Sequence, residues 1–201
     1  MKRSDGDYVS AIVLAAGTAS RYGEAKQLLS WHGTPLVRHV VDTAAASDVD
    51  AMLVVIGNER ERVRAALAGS MATIVENPDY ADGQSTSLQH GLREIPAETS
   101  AIVMLVGDQP GITSTHIDRV VSAWRATRAP IVQAAFEGVP SHPTLFSIDL
   151  LAELLRVTGD EGARGVVQRY RDTRVLVEMN EPAPPDIDAP DDYHRALGGT
   201  S

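Results

Sequence analysis

The chain of 201 residues alternates short, almost wholly apolar runs with longer segments in which apolar residues recur every three or four positions. Short apolar runs are typical of strands that are covered on both faces, and the longer pattern is typical of the helices that cover them. A regular succession of the two predicts β-α-β units and a mostly parallel sheet. The expected fold is therefore α/β, a Rossmann-like three-layer α/β/α arrangement.

The same pattern locates the individual elements. Strands are predicted at 9–14, 52–56, 73–75, 102–106 and 131–134, with less regular ones at 144–146 and 174–177. Helices are predicted at 36–43 with Thr34 and Pro35 as cap and first position, at 59–67, at 85–92, from Thr113 or Ser114 to 124, at 149–155 and at 162–170. The proline-rich stretch 181–185 is expected to be an extended connection.

The amino-acid composition argues against several classes of protein and of functional site. The formal net charge of -9 argues against a general binder of nucleic acid or of anionic membranes. The absence of cysteine excludes disulfides, thiol nucleophiles and thiolate metal sites. No apolar run reaches the length of a membrane span, and Asp5 and Asp7 interrupt what would otherwise resemble a secretory signal. We therefore expect a single cytoplasmic domain, 1–201, that binds neither nucleic acid nor membrane.

A basic, glycine-bearing segment directly follows the first predicted strand. It reads Leu14-Ala-Ala-Gly17-Thr-Ala-Ser-Arg21-Tyr-Gly23-Glu-Ala-Lys26. Ligands of open α/β sheets bind beyond the carboxyl ends of the strands, so this loop lies where a ligand is expected. The small residues 15–17 let backbone N–H groups approach phosphate oxygens, and Arg21 and Lys26 add positive charge. The spacing matches neither a Walker A loop nor the dinucleotide fingerprint, and a glycine turn with two solvated cations is the alternative.

A second segment places a carboxylate after a predicted buried strand, in Gly107-Asp108-Gln109-Pro110. Such a carboxylate is a suitable oxygen ligand for Mg²⁺, and a role for Asp108 in capping a turn or helix is the alternative. Both this segment and the basic loop follow strands of a parallel sheet, so we expect them at the same edge. Cations, backbone donors and a metal-binding carboxylate together suit a triphosphate.

The acidic segment Asp186-Ile-Asp188 near the end of the chain offers a second carboxylate. Asp188 is the candidate, because two carboxylates can complete a metal site that clamps the attacking and leaving oxygens. Acidic residues before a helix are also typical of a helix N-terminus, and this interpretation is preferred for Asp191 and Asp192.

Polar groups from other segments are weaker candidates. In 77–88, Gly83 permits close approach of the backbone to a ligand. The hydroxyls of Ser85 and Ser87 either cap a helix or bind a nucleoside. Two further polar segments are predicted to be loops, 141–143 and 159–164.

Taken in order, these segments resemble the MobA-like nucleotidyltransferases, and within them the molybdenum cofactor cytidylyltransferases. The resemblance extends from Val9 to about Leu197. Its blocks are Leu14-Ala-Ala-Gly17 with Arg21, Gly23 and Lys26; Gly33-Thr-Pro35-Leu36; Asn77, Gly83, Ser87 and Leu88; Gly107-Asp108-Gln109-Pro110; His142-Pro143; Gly159-Asp160 with Gly162-Ala163-Arg164; and Asp186-Ile-Asp188 with Pro190 and Asp192-Tyr193. Ala19 and Ser141 depart from the family pattern, which usually has serine and glycine there.

The resemblance implies a fold of the nucleotide-diphospho-sugar transferase type and a Mg²⁺-dependent transfer of CMP from CTP to a phosphorylated acceptor, molybdenum-bound molybdopterin. Ala16 indicates the cytidylyl type, because guanylyl-transferring relatives usually have glycine at this position. Lys26, Arg21 and Asp108 would be catalytic, and Asp108 and Asp188 would bind the metal. The nucleotide would be held by Leu14, Ala15, Ala16, Gly17, Lys26, Asn77, Gly83, Ser85 and Ser87. The implied protein partner is a molybdoenzyme of the xanthine dehydrogenase type.

Three alternatives stay open at this point. The acceptor of a cytidylyltransferase could be another phosphorylated compound, such as a methylerythritol or sugar phosphate. A non-catalytic carrier of the molybdenum cofactor would keep the fold without the chemistry. A nicotinamide-dependent oxidoreductase is disfavoured by the missing glycine fingerprint.

Overall fold

A computed structural model of the chain describes residues 7–17, 25–185, 187 and 190–198. The described residues form nine strands, seven α-helices and four short 3₁₀ helices. The strands are β1 (Val9–Ala15), β2 (Ser30–Trp31), β3 (Thr34–Pro35), β4 (Ala51–Ile56), β5 (Thr73–Glu76), β6 (Ala101–Val106), β7 (Ile131–Phe136), β8 (Val139–Ser147) and β9 (Val175–Glu178). The α-helices are α1 (Leu36–Ala45), α2 (Arg60–Ala66), α3 (Gln84–Arg93), α4 (Ser114–Thr127), α5 (Leu151–Leu154), α6 (Arg164–Arg169) and α7 (Pro190–Gly198).

Seven of the strands form one sheet in the order β5-β4-β1-β6-β8-β7-β9. Every pairing within it is parallel except the two that β8 makes with β6 and β7. The predicted mostly parallel sheet is therefore confirmed. Its central strands are buried along nearly their whole length, which is why they read as continuous apolar runs.

Helices cover both faces of this sheet, which confirms the predicted three layers. On one face α1, α2 and α4 pack their apolar stripes, including Val41, Val63 and Val121, against the strands. On the other face α3, α5 and α6 contribute Leu88, Leu154 and Val166. None of the helices in the described part of the chain is long and apolar enough to cross a lipid bilayer.

The order of the strands reverses at β1. From β1 the chain moves outward through β4 to β5 and then returns to place β6 on the opposite side of β1. Such a switch point leaves a crevice beyond the carboxyl ends of the two adjacent strands, because their connections lead away in opposite directions. Here the crevice lies between the ends of β1 and β6.

One prediction about the start of α1 was wrong. Thr34 and Pro35 do not begin the helix but form β3, which pairs with β2 in a two-stranded hairpin. The turn residues His32 and Gly33 have φ of 48° and 90°. Two successive positive φ values are typical of the tight hairpin turn whose twist matches that of the strands, and the returning strand β3 leads directly into α1 at Leu36.

The prediction of a loop at 141–143 was also wrong, because β8 extends from Val139 to Ser147. The hairpin between β7 and β8 turns at Glu137 and Gly138, both with positive φ. The register shifts between Gln133, which pairs with Thr144, and Ala134, which pairs with Ser141. This irregularity accommodates a proline within a strand, which the sequence pattern alone favours as a loop.

Candidate active site

A cavity of about 390 Å³ lies at the switch point, and we call it the nucleotide cleft. Its volume falls in the range of about 300–1,000 Å³ that is typical of small-molecule sites. It is lined by Leu14, Ala15, Ala16, Gly17, Lys26, Gln27, Tyr80, Ala81, Gly83, Gln84, Ser87, Val106, Gly107, Asp108 and Asp160. The segments after β1 and β6, which were predicted to share one edge of the sheet, therefore do so.

The side chain of Gln27 is hydrogen-bonded to the backbone at the end of β1 and just after it. Its Nε2 donates to the carbonyl oxygens of Ala15 at 3.3 Å and Gly17 at 3.4 Å. On the other side, the Gly107 N–H donates to the carbonyl oxygen of Leu14 at 2.9 Å. A Cβ at Gly107 would lie 3.0 Å from the Ala15 Cβ, which is tighter than ordinary packing, so the close approach of the two loops favours glycine.

Lys26 and Asp108 both line the nucleotide cleft. Lys26 begins the short 3₁₀ helix Lys26–Leu28 and is only 9% exposed, so its side chain lies within the protein rather than extending into water. A cation and a carboxylate at one strand edge can bind phosphate oxygens and a hard divalent cation respectively. Arg21 and Asp188 lie outside the described residues, so their predicted roles stay predictions.

The N-terminus of α3 forms a further wall of the nucleotide cleft through Gly83 and Ser87. Ser85 and Asn77 do not line it. Asn77 is 1% exposed, and its Nδ2 donates to the hydroxyl oxygens of Thr86 and Ser87, each at 2.9 Å. The buried Asn77 amide therefore orients the first turn of α3. A side chain without an amide group would leave the hydroxyl oxygens of Thr86 and Ser87 without this donor.

Other residues that line the nucleotide cleft were given no binding or catalytic role from the sequence: Gln27, Tyr80, Ala81, Gln84, Val106, Gly107 and Asp160. The segment containing Asp160 is distant in sequence from α3 but packs closely against it. A Cβ at Gly83 would lie 2.8 Å from the carbonyl carbon of Gly159 and 2.9 Å from the Asp160 Oδ1. No periodicity encodes such a contact, although the glycines at 159 and 162 with Asp160 between them indicate a tight polar turn.

A second, larger cavity of about 820 Å³ continues from the first, and we call it the acceptor-side cleft. The two share Leu14, Gln84, Val106 and Asp108. The acceptor-side cleft is otherwise lined by Met104, Gln109, Gln133, Pro140, Ser141, His142, Thr144, Phe146, Glu161, Ala163, Arg164, Gly165, Val167, Gln168, Arg174 and Ile187. Asp108 thus lies where the two cavities meet.

The described residues are suited to a hard divalent cation whose remaining ligands come from the substrate. No group of three or more His, Cys, Asp or Glu side chains in the described part of the chain could hold a metal ion by itself. Mg²⁺ is usually bound through one or two carboxylates together with substrate phosphates and water, so the Asp108 carboxylate would be one suitable protein ligand for it.

The fold and this cleft are those of a nucleotide-binding α/β enzyme, and the chain is a nucleotidyltransferase. Residues 11–175 match the MobA-like NTP transferase domain, and the chain belongs to that family. The resemblance seen in the sequence is thereby confirmed at the level of the family.

Individual relatives cover nearly the whole chain. The molybdenum cofactor cytidylyltransferase of Escherichia coli (strain K12) is 28% identical over 193 residues, which cover 94% of this chain and 95% of the relative. The crystal structure of Rv0371c from Mycobacterium tuberculosis H37Rv has a TM-score of 0.86 at 28% identity and covers 96% of this chain and 99% of that one. A structure described as the manganese complex of the same protein has a TM-score of 0.80 at 28% identity, with coverage of 95% and 98%.

Replacement of Gly83 by alanine is expected to weaken nucleotide binding and to destabilise the protein. The residue has φ of 112°, and a Cβ there would meet the backbone of Gly159. Strain of this kind costs about 1–3 kcal/mol. Thermal unfolding with and without nucleoside triphosphate measures both effects.

Gly69→Ala is the matched control. Gly69 has φ of 76°, but a Cβ there would find no atom within 4 Å. Gly69→Ala should therefore measure the free-energy cost of a positive φ alone, without the steric overlap that is expected at Gly83. Equal effects of the two substitutions on stability and on the shift caused by nucleotide would contradict a specific role for the contact between Gly83 and Gly159.

Proposed function

We propose that this protein transfers CMP from CTP to a phosphorylated acceptor, molybdenum-bound molybdopterin, with release of pyrophosphate. The observation that carries the proposal is the joint lining of one switch-point cleft by residues 14–17, Lys26 and Asp108. The cytidylyltransferase from Escherichia coli supports the choice of CTP and of the acceptor.

The mechanism requires positioning and charge stabilisation more than proton transfer. An oxygen of the acceptor phosphate attacks the α-phosphorus, a new P–O bond forms, and the bond to the β-phosphate oxygen breaks to release pyrophosphate. The attacking oxygen is already anionic at neutral pH, so no general base is needed. Backbone N–H groups of residues 15–17 and the Lys26 ammonium group would neutralise charge that develops on the phosphates.

The metal proposed for this site is Mg²⁺, held by Asp108 with Asp188 as a second ligand. When bound, it would supply charge neutralisation at the phosphate oxygens. The chain's own residues then set the geometry: Gln27 holds the β1 loop, and Gly83 and Ser87 border the space for the nucleoside.

The acceptor would enter from the acceptor-side cleft. This cavity meets the nucleotide cleft at Asp108, so a phosphate in it can approach the α-phosphorus of a nucleotide in the first. Another phosphorylated acceptor, such as a methylerythritol or sugar phosphate, is the second candidate because the nucleotide cleft by itself does not discriminate among acceptors. Transfer of the product to a molybdoenzyme of the xanthine dehydrogenase type is part of the proposal.

The proposal predicts selective stabilisation by CTP. With Mg²⁺ present and CTP at about a hundred times its dissociation constant, the stabilisation should be about 2.7 kcal/mol, or roughly 5–10 °C in melting temperature for a chain of this size. The measurement is thermal unfolding with each of the four ribonucleoside triphosphates, with and without the metal.

Pyrophosphate release with an acceptor panel completes the test. Molybdenum-bound molybdopterin, methylerythritol phosphate and sugar phosphates are each added with CTP and Mg²⁺. A larger shift with GTP than with CTP would contradict the proposed nucleotide. Stabilisation by CTP without pyrophosphate release on any acceptor would favour the non-catalytic carrier instead.

A further inference from the structure

The acceptor-side cleft carries several amide and guanidinium groups although it opens on a buried sheet. Four of the chain's six glutamines line it, together with two arginines. Its apolar floor includes Met104 and Phe146, which belong to the core on that face. Polar side chains on an otherwise apolar floor are costly unless they bind something.

Arg174 is the residue whose bonding is incomplete. It directly precedes β9, and its Nη1 donates to the Oε1 of Gln133 on β7 at 3.0 Å. Its Nε is buried and has no hydrogen-bond partner among the residues that the structure describes. A guanidinium group carries five N–H donors, and buried polar atoms in proteins are nearly always paired. One N–H of this guanidinium group is therefore unpaired in the described part of the protein, and the Arg174 side chain itself lines the acceptor-side cleft.

The position of this group is remote from the reacting centre. Gln133 pairs with Thr144, and Thr144 pairs with Met104, which lies four residues before Asp108. Two strand spacings give about 10 Å across the sheet. The advance from Met104 to the turn after Val106 adds about 7–13 Å along it, so the Cα atoms of Gln133 and Asp108 are roughly 12–16 Å apart. A compound whose phosphate lies at Asp108 would meet Arg174 only with its opposite end.

We propose that Arg174, held by Gln133, binds an oxygen atom, carbonyl or anionic, at the end of the acceptor remote from its phosphate. This contact selects long acceptors over short polyol phosphates. The inference rests on the proposed function for the placement of the acceptor phosphate. The guanidinium group is suited to it because its planar fork matches oxygen-bearing groups and stays charged at any working pH.

A purely structural role for Arg174 predicts different effects on stability and on acceptor use. If Arg174 served only to tie β9 to β7, its removal would destabilise the protein and leave acceptor use unchanged. If it serves the acceptor, removal of Arg174 together with the Gln133 amide should cost little or no stability, because no unpaired partner is left and functional groups are often kept at the expense of stability. Stability and acceptor use are therefore both measured.

The test uses Arg174→Met, Arg174→Lys and the double variant R174M/Q133L, which also removes the partner amide. For Arg174→Met we expect the KM for molybdenum-bound molybdopterin to rise about 10–100-fold, the loss that follows removal of a hydrogen bond to a charged group. The kcat at saturating acceptor and the CTP-induced shift in melting temperature should be nearly unchanged. Arg174→Lys should recover only part of the loss, and the double variant should melt no lower than the wild type.

Arg171→Met is the matched control, since Arg171 is 61% exposed and its ion pair is with the neighbouring, exposed Asp172. It should leave the acceptor KM unchanged. An unchanged acceptor KM in Arg174→Met, with a wild-type protein that is active, overturns the inference alone. A lower melting temperature in the double variant without a change in KM does the same. A wild-type protein that uses no acceptor overturns the proposed function and this inference with it.

Discussion

Asp108→Ala is expected to lower kcat by at least about 100-fold, the scale at which removal of one transition-state stabilising group acts in enzymes. Asp108 follows β6 at the junction of the two cavities, and its carboxylate is the proposed Mg²⁺ ligand. The side chain is only partly buried, so its loss should not unfold the protein. Pyrophosphate release across a range of Mg²⁺ concentrations measures the effect.

Two further substitutions make this result specific. Asp108→Asn keeps the shape of the side chain and removes its charge, so it should lose nearly as much activity as alanine. Asp172→Ala is the control, because Asp172 is 85% exposed and does not line either cavity. Wild-type turnover by Asp108→Ala at limiting Mg²⁺ would show that the residue does not hold the metal.

Lys26→Ala is expected to lower kcat by about 100–1,000-fold, since it would remove the donor that we propose for the phosphates in the transition state. Lys26 is one of two lysines in the chain, and its side chain is held in the wall of the nucleotide cleft. Lys26→Arg keeps the charge but replaces a compact ammonium group with a planar fork, so it should recover only part of the activity. Steady-state kinetics at saturating CTP make the comparison.

Stability measurements separate this effect from damage to the fold. Lys26→Met retains much of the side chain's apolar length, so it should melt close to the wild type while it loses the same activity as alanine. Arg62→Ala is the surface control, because Arg62 is 66% exposed and pairs with Glu59 on the same helix turn. A Lys26→Ala variant with wild-type kcat and wild-type KM for CTP would contradict the proposed phosphate contact.

The candidate site was predictable from sequence wherever a residue follows a strand. Lys26, Asp108 and residues 14–17 were expected at one edge because parallel strands end there together, and the structure brings them to one cavity. Asn77 was a weaker expectation, since a polar residue near the cleft can face the ligand or the protein. Its buried bonds to Thr86 and Ser87 show that it faces the protein.

Sequence pattern by itself determined the layers, the succession of the main helices and the strands of the large sheet, and the edge of the sheet at which chemistry should occur. These follow from local periodicity, because each strand or helix must bury its own apolar face. Only the tertiary structure decided which distant segments meet: the turn 159–162 against α3, the reversed strand β8, and Arg174 beside Gln133. Such contacts join residues that are far apart in the chain. They depend on how the helices and strands pack together, which the local pattern of apolar residues does not specify.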